Sequence, residues 1–168
     1  FQIKSVNNIS FLNNIFLNNN NTISFLNKNL NFSFFNNLVI KNNNFISSNT
    51  DNNLNYYLIN NTFDNNDCIL NISKSSHNNN TIISKNNIFY NNKNLFDLIN
   101  ININNNYSIS NNYNLEGYYN ILGDPLFKDV NKYNYNLKHN SPALSLGVNN
   151  INTGANINNI HIIKYLKY

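Results

Sequence analysis

The sequence predicts an all-β fold, a single-stranded parallel β-helix (solenoid) with three short strands per coil of about 24 residues. Three features point to it. An Asn-Asn pair followed by a short apolar run returns along the chain, apolar side chains keep fixed places around that pair, and a further strand-like run fills each gap. Composition agrees. Nearly a third of the 168 residues are Asn and only 11% are charged, yet 41% are hydrophobic. A wholly disordered chain lacks the apolar surface to offset its ordering entropy, and a long charged helix needs Ala, Glu, Lys and Arg in bulk.

The repeat is read first, because it decides the architecture. It runs Asn13-Asn14-Ile15-Phe16, Asn36-Asn37-Leu38-Val39, Asn60-Asn61-Thr62-Phe63 and Asn86-Asn87-Ile88-Phe89, with a weaker fifth copy at Asn111-Asn112. The offsets are 23, 24, 26 and 25 residues. In so Asn-rich a chain the flanking columns decide the matter. Ile9, Phe32, Tyr56 and Ile82 form one column, with Tyr107 for the fifth copy. Phe11, Phe34, Leu58 and Ser84 form the next, and Phe16, Val39, Phe63 and Phe89 the third. All but Ser84 are apolar or aromatic.

Each element follows from this spacing. Apolar residues two apart, such as Ile9 and Phe11, share one face of a strand. The Asn pair then switches the phase so that Phe16 again points inward. Asn tolerates the left-handed backbone region and bonds its own neighbouring backbone, which suits a tight corner. The runs 22–26, 45–48, 68–72 and 95–103 supply the third strand. Stacked coils, about 4.8 Å apart, place like side chains above one another: Phe, Ile and Leu inside, Asn ladders at the corners. A leucine-rich repeat has a similar period, but its Leu-x-Leu pattern and helical return are not visible; an unfolded Asn-rich tract is the other alternative.

The pattern changes after Tyr107, and all four Gly and both Pro follow residue 116, so turns replace regular coil there. The residues 120–127 (Asn-Ile-Leu-Gly-Asp-Pro-Leu-Phe), then Tyr135-Asn136-Leu137, then Ser141-Pro142-Ala143-Leu144 and Gly147, resemble the terminal segment of right-handed parallel β-helix proteins of the pectin-lyase-like superfamily. The repeated Phe-x-Asn-Asn at 11–14, 16–19, 63–66 and 89–92 is similar to repeats of polymorphic outer-membrane and adhesin-like β-helix proteins. The tail departs from the superfamily's short acidic ending, with Gly154-Ala155 as its remnant. The resemblance implies right-handed coils over 1–119, a closing segment over 120–147 and a tail over 148–168. It also implies either a rod-like surface protein or a polysaccharide lyase or glycoside hydrolase.

Fold does not fix function, so chemistry is sought in the residues. Glycoside hydrolysis needs two carboxylates flanking one bond. The seven acids are Asp51, Asp64, Asp67, Asp97, Glu116, Asp124 and Asp129, and no acid stands in the Asp64 column of the neighbouring coils. Asp64 is expected at a solvated corner and Asp124 as a turn cap. Arg, the usual lyase base, is absent, as are an Asp cluster for calcium and the polygalacturonase signatures. His77, His139 and His161 have no metal-ligand spacing, and the lone Cys68 reads as a small core residue. Neither catalytic residues nor a metal or other cofactor is expected. A net charge of +4 from dispersed Lys lacks the clustered footprint of nucleic-acid binding, and no apolar run is long enough to span a bilayer.

One feature points to binding. Tyr57, Tyr90 and Tyr113 are expected on outward positions among Asn amides, where aromatic faces and amides suit sugar rings or protein contacts. The expectation is therefore a non-catalytic, adhesin-like, secreted or cell-surface β-helix that contacts a polysaccharide or a cell-surface protein. The alternative is the C-terminal part of a lyase or hydrolase whose active site lies upstream. The missing Met reads as a piece of a longer chain, with roughly five coils and an open N-terminal end.

Overall fold

The computed structural model describes residues 1–3, 6–25, 29–48, 53–72, 81–98 and 102–156. They form a parallel β-solenoid of four complete coils and a partial fifth. The coils are Asn8–Leu12, Ile15–Leu17 and Asn21–Phe25; Asn29–Phe35, Leu38–Ile40 and Asn44–Ser48; Asn53–Ile59, Thr62–Asp64 and Cys68–Ile72; and Thr81–Lys85, Ile88–Tyr90 and Asn94–Leu98. The partial coil holds Asn102–Asn106 and Ile109–Ser110. Corresponding strands stack into three parallel sheets, here called first, second and third by their order within a coil. Gln2–Ile3 opens the third sheet, and Ile121–Leu122 extends the second beyond the partial coil.

The register is that of the sequence columns. Ile9 pairs with Phe32, Phe32 with Tyr56 and Tyr56 with Ile82. Phe16, Val39, Phe63 and Phe89 likewise stack in the second sheet and are buried in the main core. Strands of three to five residues hold because each buries its apolar side against its neighbours above and below. The Phe63 and Phe89 rings lie nearly parallel, with centroids 5.3 Å apart.

Two corners per coil obey one rule. Between the first and second strands, Asn13, Asn36, Asn60 and Asn86 take left-handed backbone angles; between the second and third, Asn18, Lys41, Asn65 and Asn91 do. The next residue is an Asn at every one of these corners, and from the second coil onward it is buried and turns toward the coil below. The Asn37 N–H donates to Asn61 Oδ1 at 2.9 Å, and Asn61 N–H to Asn87 Oδ1 at 2.8 Å. Each amide also donates back, as Asn61 Nδ2 does to the Phe34 carbonyl at 2.9 Å. The second ladder repeats the scheme, with Asn42 N–H to Asn66 Oδ1 at 2.9 Å and Asn66 Nδ2 to the Val39 carbonyl at 3.0 Å. The polar groups that a sharp buried corner exposes are thus met inside the protein.

The structure corrects three expectations. The fifth copy is not Asn111-Asn112 but Tyr107-Ser108, where Tyr107 takes the left-handed position and Ser108 Oγ accepts from Asn87 N–H at 3.2 Å. Asn111 and Asn112 belong to the other corner, since Asn91 N–H donates to Asn111 Oδ1 at 2.8 Å. The run 95–103 is divided between the third and first sheets. The roughly five coils expected are present as four complete coils and one partial, because the chain leaves its regular path after Ser110. Asn120, grouped by sequence with the closing motif, ends the first ladder by accepting from Ser108 N–H at 2.9 Å.

The closing segment covers a second core on the outer side of the second sheet. Phe127–Asp129 pairs antiparallel with Asn134–Leu137, and Phe127, Tyr135 and Ala143 pack on Leu38, Ile40, Ile88 and Ile109. The tail then runs down the corner, one residue per coil. Thr153 Oγ1 donates to the Tyr107 carbonyl, Gly154 N–H to that of Asn86, Ala155 N–H to Thr62 Oγ1 and Asn156 N–H to Asn36 Oδ1. Gly154 is required here: its φ is +91° and a Cβ would sit 2.5 Å from Ile88 Cδ1. At the opposite end the first coil is the least covered, with Phe1 75% and Leu12 55% exposed.

Candidate functional site

The three tyrosines lie on different faces. Tyr57, half-buried, stands on the outer side of the first sheet, in register between Ser33 and Ile83. Tyr90 was expected to face solvent, but its ring meets Phe127 edge-on at 5.5 Å within the second core. Tyr113 packs on the end of the main core, and its hydroxyl donates to the Lys93 carbonyl. The closing segment covers Tyr90, while Tyr113 belongs to the chain that folds across the end of the main core. A single tyrosine cluster is therefore not formed.

The outer side of the first sheet is the surface the solenoid leaves to solvent in ordered columns. Asn8, Asn31 and Asn55 form an exposed amide chain, with Asn31 Nδ2 donating to Asn8 Oδ1 and Asn55 Nδ2 to Asn31 Oδ1, both at 2.9 Å. Beside it run Ser10, Ser33, Tyr57, Ile83 and Asn104, then Leu12, Phe35, Ile59, Lys85 and Asn106. Alternation along each strand sets these outward while Ile9 and Phe11 point in. Lys85 is the only charged side chain in these columns. The face offers amide donors and acceptors beside an aliphatic and aromatic ridge, a combination suited to hydrogen bonding and stacking.

Asp64 departs furthest from expectation. It is 6% exposed, not at a solvated corner, because the closing segment lies over it. The Tyr135 hydroxyl donates to its Oδ2 at 2.5 Å. Burial holds its carboxyl above the usual range, while the Tyr135 hydrogen bond and the Lys41 charge oppose that rise. Burial first, and then the Asp64 charge, push the Tyr135 hydroxyl far up, so it stays protonated. Lys41 lies 5.8 Å from the Tyr133 ring centroid, which ties the corner to the same segment. The neighbouring columns held no hint of this pairing, since Tyr135 is 71 residues away.

The other described acids are dispersed. Asp67 pairs with Lys93 at 2.7 Å, Asp124 Oδ1 caps a turn by accepting from Leu126 N–H at 2.8 Å, and Asp129 receives Lys132 N–H. Cys68 is buried, its thiol donates to the Leu70 carbonyl, and burial pushes its pKa up. Among the described residues, no group of three His, Cys, Asp or Glu is placed to hold a metal, and no helix is long and apolar enough to cross a membrane. Asp51, His77 and His161 lie outside the described residues. No protein-family model matches the chain, and no curated protein or solved structure matches it either.

Proposed function

We infer that the chain is a non-catalytic, adhesin-like solenoid of a secreted or cell-surface protein, and that it contacts carbohydrate or protein through the outer side of its first sheet. The observation that supports this reading is the register of that face. Amides stack on amides in the column of Asn8, Asn31 and Asn55, and Tyr57 stands beside them between Ser33 and Ile83. A repeating polymer meets a repeating set of hydrogen-bonding groups there, and the near absence of charge favours a neutral partner.

The test is binding to an array of neutral and acidic glycans, with Tyr57→Ala as the variant. Loss of a stacking aromatic lowers retention on neutral glycans by about threefold to tenfold. Retention that is unaffected by changes on this face contradicts the reading, as does release of unsaturated uronide from pectate in the presence of calcium.

A further inference from the structure

At the C-terminal end of the main core a recess of about 360 Å³ opens between the last strands and the chain that folds across them. Its apolar walls are Leu95, Phe96, Ile103, Tyr113 and Leu115. Its polar lining includes Asn105 and Glu116. We propose that this recess binds an organic amine: an aromatic or aliphatic body whose protonated nitrogen donates to Asn105 Oδ1 and to the Glu116 carboxylate.

The argument starts from the inward column of Phe11, Phe34, Leu58, Ser84 and Asn105. The column turns polar at its end. Ser84 is satisfied there, since Asn87 Nδ2 donates to its Oγ at 3.0 Å. Asn105 is not. It is 4% exposed, and its Oδ1 is a buried side-chain oxygen without a hydrogen-bond partner. A buried acceptor left without a donor is unfavourable, and a ligand that donates to it relieves that cost. The other described case, the Tyr56 hydroxyl, sits within the packed core, whereas Asn105 lines the recess.

The surroundings hold these groups in place. Asn120 Nδ2 donates to the backbone carbonyls of both Asn105 (2.8 Å) and Glu116 (3.0 Å), which fixes the two together. Gly117, at φ +117°, lets the chain pass so close that a Cβ would fall 1.8 Å from the Asn105 carbonyl oxygen. An apolar cavity with a few convergent polar groups is the usual form of a small-molecule site. Asn105 Oδ1 and the carboxylate are acceptors, so the ligand must donate. Glu116 is the charged group in the lining and selects a cation, and the Phe96 and Tyr113 rings favour one as well.

The experiment titrates the whole chain with phenethylamine, followed by two-dimensional NMR, beside 2-phenylethanol and 3-phenylpropionate as neutral and anionic counterparts. The amine shifts the Asn105, Tyr113 and Leu115 resonances, and the anion does not. Glu116→Gln, at an exposed position, keeps the melting temperature and weakens the amine by about tenfold, the scale of one charge-assisted hydrogen bond. Asn105→Leu abolishes binding with the melting temperature kept or raised. Equal affinity for amine and alcohol, no shifts with the amine, or unchanged affinity in Glu116→Gln overturns the proposal. A failure of Asn105→Leu to fold leaves the Glu116 result decisive. None of these outcomes bears on the first-sheet face.

Discussion

At the scale of single residues, the Asn of each corner have divided labour. The first takes the left-handed angle, which costs Asn little because its short side chain bonds locally. The second, in every complete coil above the first, is buried and holds two coils together. Removing the two kinds should therefore give different results. Asn65, exposed at φ 56°, becomes Gly with a change within about 0.5 kcal/mol. Asn61→Ala strands the Asn37 N–H and removes the second donor to the Phe34 carbonyl, and costs about 2–4 kcal/mol at about 1–3 kcal/mol for the orphaned buried group plus the lost packing. Urea denaturation compares the two, and equal effects would refute the division. Tyr56 shows the converse. Burial in the core raises its hydroxyl pKa far above the ordinary value, and the hydroxyl finds no partner. Tyr56→Phe, matching Phe32 beneath it, should stabilise the chain by about 1–2 kcal/mol; destabilisation would show that the hydroxyl is satisfied.

At the scale of elements, the closing segment decides which strand faces are wet. The outer side of the second sheet carries Leu38, Ile40, Ile88 and Ile109, so it needs a cover, and Phe127, Tyr135 and Ala143 supply it. The cover includes one ionisable group in Asp64. Its folded pKa is raised, chiefly by burial, so the folded state holds the proton more tightly than the unfolded state. Stability contributed by this site is then highest on the acid side. It falls as pH rises from the ordinary carboxylate pKa, near 4, through the higher folded value, and the full penalty persists above it. Asp64→Asn keeps an acceptor for Tyr135 and removes the titration. The variant should be at least as stable as the parent at pH 7, with the difference vanishing toward pH 3 in thermal melts. A parent that gains stability with rising pH relative to Asp64→Asn contradicts this account. The sequence could show the strands but not this cover, because Ile15, Leu38 and Ile88 look like strand residues whichever side they face. The left-handed Lys41 likewise hid the second corner from a search for paired Asn.

At the scale of the whole molecule, stability is shared between neighbouring coils, and no three-residue strand stands alone. That logic was legible because the inward columns stay apolar through four coils, Ser84 excepted. It failed at the fifth, where Tyr107-Ser108 replaces Asn-Asn and the nearest Asn pair belongs to another corner. A Ser hydroxyl can do the ladder's work without resembling its sequence. The candidate surfaces were less legible. Tyr57 stands on an outer face as its spacing implied, whereas Asn105 became conspicuous only once its column, its burial and its missing partner were seen together. The stacking itself is tested most directly by NMR of the labelled chain, through the side-chain amides of Asn37, Asn61 and Asn87. Each should show nuclear Overhauser contacts to the corner 24 or 26 residues away, as in the pairs Asn37–Asn61 and Asn61–Asn87, and each should exchange slowly with solvent. Contacts confined to sequence neighbours, with amides exchanging as in a free peptide, would contradict the solenoid.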